Sequence, residues 1–356
     1  MKWNSKAAEK SAGKALVSHT GQTLDRPVSF KFALDPNQAQ SRELFSYAGA
    51  RRYAWNHHVA RVKANIETRA SEMEAGKTKD QLTPVLSWSA QSLINHFNAW
   101  KRGEAEDSIV NDDGSRGLSW RDQVPADVFE CASVDVARAL AAFSKSIKGQ
   151  RPGPKVGFPK FQSKHKNTPT FRLRSKSSPG QTAPIRFESN KVIRVPRLGQ
   201  LRIHGSAKKV RRMVEAGRFH IYSATFTYRR GRWWVSVNGV AAQFHHQRRV
   251  TTHRHQTPVG VDLGVKSLAV VADAEGNLIE QREGVKALQT ALVQLKRANQ
   301  RLARTKPGSV GRRKARRRLN QIHGRIAAIR EHEAHEFSHW LVTNHATVTV
   351  EDLHVA

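Results

Sequence analysis

PVGVDLGVKSLAVVADAEGNLIE, residues 258–280, is the stretch on which the fold of this chain turns. Its apolar, β-branched start predicts a strand that delivers a carboxylate, Asp262, at its middle, and Gly264 then permits a close backbone approach. A second strand is predicted over Leu268–Ala272, and Asp273 to Asn277 has the composition of a turn into a third. The segment therefore opens a β-meander. A carboxylate inside an otherwise apolar strand is costly to bury unless it meets a cation or a hydrogen-bonding partner. Spacing alone leaves a structural turn aspartate and a ligand equally open.

Downstream, two helices are predicted, from about Val285 to Arg304 and from about Val310 to Asn344, split by TKPGS. Between Lys296 and Arg330 there are 13 Lys or Arg and no Asp or Glu. A charge run is ordinarily a solvated face, but one sign without opposition predicts a positive ridge for a polyanion, here expected beside Asp262. The residues expected to carry it are Lys296, Arg297, Arg301, Arg304, Arg312, Arg313, Lys314, Arg316, Arg317 and Arg318. ATVTVEDLHVA then reads as a β-branched strand ending at Glu351 and Asp352, with Glu351 89 residues after Asp262.

Upstream the chain changes character three times. Residues 1–26 are polar, basic and aperiodic, which predicts a flexible arm. PVSFKFAL alternates as a strand, and Asp35 with Pro36 is expected to cap and start a helix. That helix would run through SRELFSYAGARRYAWNHHVARV, with Leu44, Tyr47, Arg51, Trp55 and His58 on one stripe; their aromatics fit helix packing better than base stacking. Two more are predicted over LSWSAQSLINHFNAW and PADVFECASVDVARALAAFSKSI, the last with Val128, Val136, Leu140, Phe143 and Ile147 as its apolar face. The Gly-, Pro- and Lys-dense GQRPGPKVGFPKFQSKHK ends the helical region. Beyond it the period becomes two: FRLR, IRFE, KVIRVP, QLRIHG, FHIYSATFTYRRG and RWWVSVNGV are successive strands, with Arg230 and Gly231 in a hairpin turn.

The whole composition agrees with a nucleic-acid partner. Sixty-one Lys and Arg against 29 Asp and Glu leave a formal charge of +32 over 356 residues, an imbalance that resists compaction unless a polyanion neutralises it. No apolar run approaches the roughly 18 residues of a membrane span, and the N-terminus lacks the apolar core of a signal peptide. A single cysteine, Cys131, excludes an internal disulfide and a four-cysteine zinc ribbon within this chain, as suits a reducing cytoplasm.

One motif points elsewhere. HEFSHWLVTNH, from His335 to His345, matches the H-E-x-x-H of zinc peptidases, with a third histidine ten residues after the first. A metzincin would need glycine where Val342 stands, to turn the chain back to the metal, and a later methionine turn; the methionines are Met1, Met73 and Met213. A zinc metallopeptidase is accordingly the least favoured alternative.

VGVDLGVKSLAV resembles the first RuvC motif, and VTVEDLHV the second, of the TnpB proteins encoded by bacterial insertion sequences, RNA-guided nucleases related to type V CRISPR effectors. GARRYAWNHHV resembles the early helical G-x-x-R-x-x-x-N signature of that family and GFPKFQSK its glycine-proline-lysine linker. The likeness covers roughly residues 27–356. It implies an α+β fold in which a helical recognition lobe (37–149) is inserted in a β-barrel-like wedge module (27–36 and 150–250), followed by an RNase H-like (RuvC) α/β domain (256–356). It also implies Mg2+ held by carboxylates, a guide RNA on the basic surfaces and a double-stranded DNA target. Asp262 matches the first catalytic aspartate and Glu351 the catalytic glutamate, both as metal ligands, whereas strand alternation turns Asp352 away. The third carboxylate of the family, and its zinc ribbon, have no counterpart in this chain, so the RuvC domain is expected to be incomplete, DNA cleavage impaired, and no zinc bound. The alternative within the same family likeness is a repressor that binds DNA under RNA guidance without cutting.

Overall fold

The computed structural model describes residues 23–176, 182–242, 258–264 and 267–351. It is a mixed α/β structure with two sheets and six α-helices among those residues. The chain divides into two compact units, residues 1–243 and 244–356. Most of the predicted basic arm and Asp352 lie outside the described residues.

In the first unit the elements run β1 (Leu24–Leu34), α1 (Gln38–Glu74), α2 (Ala90–Arg102), α3 (Ala126–Ile147), β2 (Thr170–Arg174), β3 (Arg186–Ser189), β4 (Val192–Val195), β5 (Gly199–His204), α4 (Lys208–Glu215), β6 (Phe219–Arg229) and β7 (Arg232–Ala242). The sheet order is β2-β6-β7-β1-β5-β4-β3. β1 pairs antiparallel with β7 on one side and β5 on the other. The first strand thus ends up in the centre, which requires a long excursion between β1 and its partners; the three large helices fill it. Arg230 and Gly231 turn the β6–β7 hairpin with φ of 55° and 77°, the left-handed pair that a two-residue hairpin demands. Gly239 sits where β7 crosses β6, and a side chain there would press into the carbonyl of His220.

The helices pack through α1. Its buried residues include Leu44, Tyr47, Ala54, His58 and Val62; Val62 meets Leu93 of α2 with Val136 and Leu140 of α3 in one apolar cluster. Tyr47 reaches the sheet, its ring 5.5 Å from Phe171, which itself stacks on Phe226 at 4.8 Å. Burying such side chains contributes about 1.5–3 kcal/mol each. Arg172 and Arg174 of β2 bind Asp135 and Asp127 of α3 and so tie strand to helix.

Two local expectations are corrected. The cap of α1 is Asn37, not Asp35: its side chain accepts from the backbone of Gln40 at 2.8 Å, and the Gln40 side chain accepts from the backbone of Asn37 at 3.1 Å. This reciprocal capping box satisfies two helix-end donors at once and leaves Asp35 to pair with Arg232. Ile147, expected on the apolar face of α3, is 70% exposed at the last residue of the helix, where no neighbour remains to cover it.

The second unit contains β8 (Val259–Asp262), β9 (Ser267–Ala272), β10 (Leu278–Glu283), α5 (Lys286–Ala303), α6 (Val310–Asn344) and β11 (Val348–Val350). The sheet order is β10-β9-β8-β11, with β8, β9 and β10 an antiparallel meander and β11 parallel to β8. Asp273 closes the β9–β10 turn, accepting from the backbone of Glu275 and Asn277. Val259, Val261, Ala269 and Val271 point to one face, where Phe337 and Leu341 of α6 cover them. α5 and α6 form a hairpin closed by Ala291, Ile322 and Ile326.

Candidate active site and nucleic-acid surface

The apolar residues of β8 decide where its carboxylate goes. Val259 and Val261 are buried against α6, so alternation turns Gly260 and Asp262 to the other face. In the parallel ladder Val348 pairs with Val259, Thr349 with Gly260 and Val350 with Val261. One step further, the same register sets Glu351 beside Asp262, on strands about 4.8 Å apart. Both residues line a shallow cavity of about 360 Å³ with Gly260, Val261, Val270, Ala272, Thr349 and Val350. Both residues are exposed, and no described ion pair engages either.

The sequence pattern places Asp262 at the middle of its strand; it lies instead at the C-terminal end of β8, because the backbone leaves the ladder at Leu263 and Gly264. The desolvation cost that a mid-strand carboxylate would carry is therefore avoided. Two hard oxygen donors on adjacent strand ends suit a divalent cation such as Mg2+, which keeps several waters of its own. No group of three or more His, Cys, Asp or Glu side chains able to hold a metal occurs among the described residues.

The histidines of HEFSHWLVTNH are kept apart. α6 continues unbroken to Asn344, so Val342 is an ordinary helical residue and ten residues of helix separate His335 from His345 by about 15 Å. His335 and His339 are exposed, while His345 is buried with its ring 5.4 Å from that of Trp340.

The basic residues lie on the distal part of the α5–α6 hairpin rather than beside Asp262. α6 touches the sheet around Phe337 and Leu341, and Arg318 is nineteen residues earlier, about 28 Å along the helix axis. Nine of the ten named cations are exposed: Lys296, Arg297, Arg301, Arg304, Arg313, Lys314, Arg316, Arg317 and Arg318. Arg312 is half-buried and donates to the carbonyl oxygens of Leu302 and Thr305 at 3.2 and 2.9 Å, closing the end of α5. None of the described ion pairs involves residues 296–330.

Sequence reasoning missed two features. α4, KKVRRMVE, is a short amphipathic helix with Val210 and Met213 buried; its two apolar residues give too little periodicity to register. The second is a junction between the two helical-region signatures: Asn56 of α1 exchanges two hydrogen bonds with the backbone of Gln162, and Trp55 donates to the carbonyl of Lys160. Fixed polar spacing around Asn56 was the available signal.

A family model described as "Probable transposase" matches residues 242–356, and one described as "Helix-turn-helix domain" matches residues 28–71. The latter segment folds here as β1 and the single long helix α1. The chain is 28% identical over 330 residues to a protein of Mycobacterium tuberculosis (strain CDC 1551) named "Putative RNA-guided DNA endonuclease MT2953", covering 92% of this chain and 66% of that one. It is 25% identical over 333 residues to "Putative RNA-guided DNA endonuclease InsQ" of Escherichia coli K12, covering 94% and 68%. It thus spans about two thirds of the length of these relatives. A solved Cas12f1–sgRNA–target DNA complex aligns with 10% identity and a TM-score of 0.35, covering 92% of this chain and 81% of that one.

Proposed function

We propose that the chain is a member of the TnpB family of insertion-sequence proteins, as its likeness to a transposase family model and to two named endonucleases supports, and that it binds a guide RNA and, through it, a double-stranded DNA target. The observation that carries the reading to a site is the β8–β11 register, which sets Asp262 and Glu351 side by side. The antiparallel meander with a parallel strand laid beside its first member supports an RNase H-like core, and the seven-stranded sheet with β1 at its centre supports a wedge module around the helical lobe. Asp262 and Glu351 would hold a Mg2+ ion from one side. Such an ion supplies charge stabilisation at the phosphodiester oxygens being cleaved. The hairpin cations hold phosphate at a distance from the carboxylates, and their unopposed charge gives most of the affinity.

Two carboxylates bracket one cation, whereas in-line cleavage with two cations about 4 Å apart needs a further acid. The chain by itself therefore binds guide and target and cuts slowly, which is also what a repressor would do. The test combines purified chain, guide RNA, matched DNA and Mg2+, with Mn2+ binding followed by electron paramagnetic resonance as a second readout. Asp262→Ala is expected to weaken Mn2+ binding at least tenfold and to remove any residual cutting while leaving RNA affinity intact. Efficient cutting lost in Asp262→Ala would show that another acid among these 356 residues completes the site. Absence of RNA binding at any salt concentration would overturn the whole reading.

A further inference from the structure

Along one face of α1 runs a trough of about 690 Å³, lined on the helix by the small residues Ser46, Gly49, Ala50 and Ala60 with Tyr53, Asn56 and His57, and completed by Trp120 and Phe161. The small residues are what make room: a Cβ added at Gly49 meets nothing within 4 Å. Tyr53 and Trp120 stand edge to face at 5.5 Å. Phe161 lines the trough as well, a large apolar ring that is 54% exposed and flanked on both sides by hydrogen-bonded backbone. The carbonyl of Lys160, just before it, accepts from Trp55 Nε1 at 3.0 Å. Gln162, just after it, gives its backbone N–H to Asn56 Oδ1 at 2.7 Å and accepts from Asn56 Nδ2 at 2.9 Å, while its side chain accepts from Arg51 at 2.6 Å. The polar capacity of both sequence signatures is thus spent on presenting one bare ring.

The trough has one cation in its lining, Arg52, and no carboxylate. The Arg52 side chain makes no hydrogen bond or ion pair among the described residues. Aromatic rings lining a slot, with a free guanidinium at its edge, match a planar base attached to a phosphate. A ring already fixed in place loses little freedom on binding, so most of the stacking energy appears as affinity.

We propose that this trough takes one unpaired nucleobase of a bound RNA or DNA strand, stacked on Phe161 and walled by Trp120 and Tyr53, with Arg52 on the adjoining phosphate. The inference rests on the nucleic-acid-binding reading above and adds to it a site for a single splayed base. It is tested with the full chain and two single-stranded probes, a ribo- and a deoxyribo-oligonucleotide, each carrying one 5-iodouracil that cross-links to aromatic side chains on irradiation. Cross-linked peptides containing Tyr53, Trp120 or Phe161 are expected with at least one probe, and the arm that gives them identifies the sugar. Phe161→Ala, and independently Gly49→Leu, which fills the slot without a clash at its Cβ, should each abolish that cross-link. Each should weaken binding by roughly tenfold, as removal of one base–aromatic stack does. The slope of log affinity against log salt should not change. If both probes bind in a salt-dependent manner but cross-link elsewhere, the trough is not a base site and only this inference falls. If neither probe binds, the nucleic-acid reading falls with it.

Discussion

His58 shows what a single buried residue does to this molecule. It is 0% exposed, with Nε2 2.8 Å from Ser133 Oγ. Ser133 donates its own proton to the carbonyl of Phe129 at 3.1 Å, so the imidazole must be the donor and Nδ1 carries no proton. Burial, with His57 and His96 adding like charge, depresses its pKa to about 3; burial also takes His57 to about 4, although Asp107 pulls the other way. The unfolded chain takes up these protons near the ordinary value of 6.5. The histidines therefore contribute stability that is fully present above pH 6.5 and is lost as pH falls toward 4, by roughly 1.4 kcal/mol for each unit of pKa difference. We expect the melting temperature of the first unit to drop steadily between pH 7 and pH 5, and His57→Phe to flatten that decline. A parent and variant whose melting temperatures differ by the same amount at every pH would contradict this.

At the scale of elements, the α5–α6 hairpin holds one folded-back arginine among exposed ones. Arg312 spans the connection, holding Leu302 and Thr305, while Arg313 beside it is exposed. Arg312→Ala should cost about 1–2 kcal/mol, chiefly through the Thr305 carbonyl left open, since the Leu302 carbonyl still accepts from Thr305, whereas Arg313→Ala should fall within about 0.5 kcal/mol of the parent; thermal unfolding of the two variants distinguishes them. Both look alike in the sequence, since a run such as GRRKARRR carries no mark of which side chain folds back. What is legible there rests on periodicity. The hairpin ends, the alternating strands and the turn at Arg230–Gly231 follow from repeats of 3.6 or 2 residues and the breaks between them, and the structure agrees with them closely. The Asp262–Glu351 pair is legible as motifs, but its geometry depends on a parallel pairing across 89 residues, which no local pattern encodes. Residue type alone does not separate Asn37 from Asp35 as the helix cap, because both kinds cap helices; the Gln40 reciprocity decides between them.

At the scale of the whole molecule, a formal charge of +32 makes affinity a function of salt. Neutralising Arg313, Lys314, Arg316 and Arg317 together should lower the slope of log affinity against log salt by roughly 0.7–0.9 for each phosphate that these side chains no longer hold; a titration of RNA binding from low to moderate salt measures it, and an unchanged slope would place the phosphates elsewhere. No helix among the described residues is long and apolar enough to cross a membrane. The length of α6 adds one more consequence. Its packed end holds the sheet that carries the carboxylates, and its cationic end stands about 28 Å away along the axis, which at 3.4 Å per base pair is about eight steps of duplex. Under the proposed nucleic-acid binding, a phosphate gripped at the tip would be held at a set count of base pairs from the carboxylates, and the hairpin would act as a gauge. Deleting matched heptads from α5 and α6 withdraws the tip by about 10 Å and should move the far border of the nuclease-protected footprint inward by about three base pairs, without moving the near one.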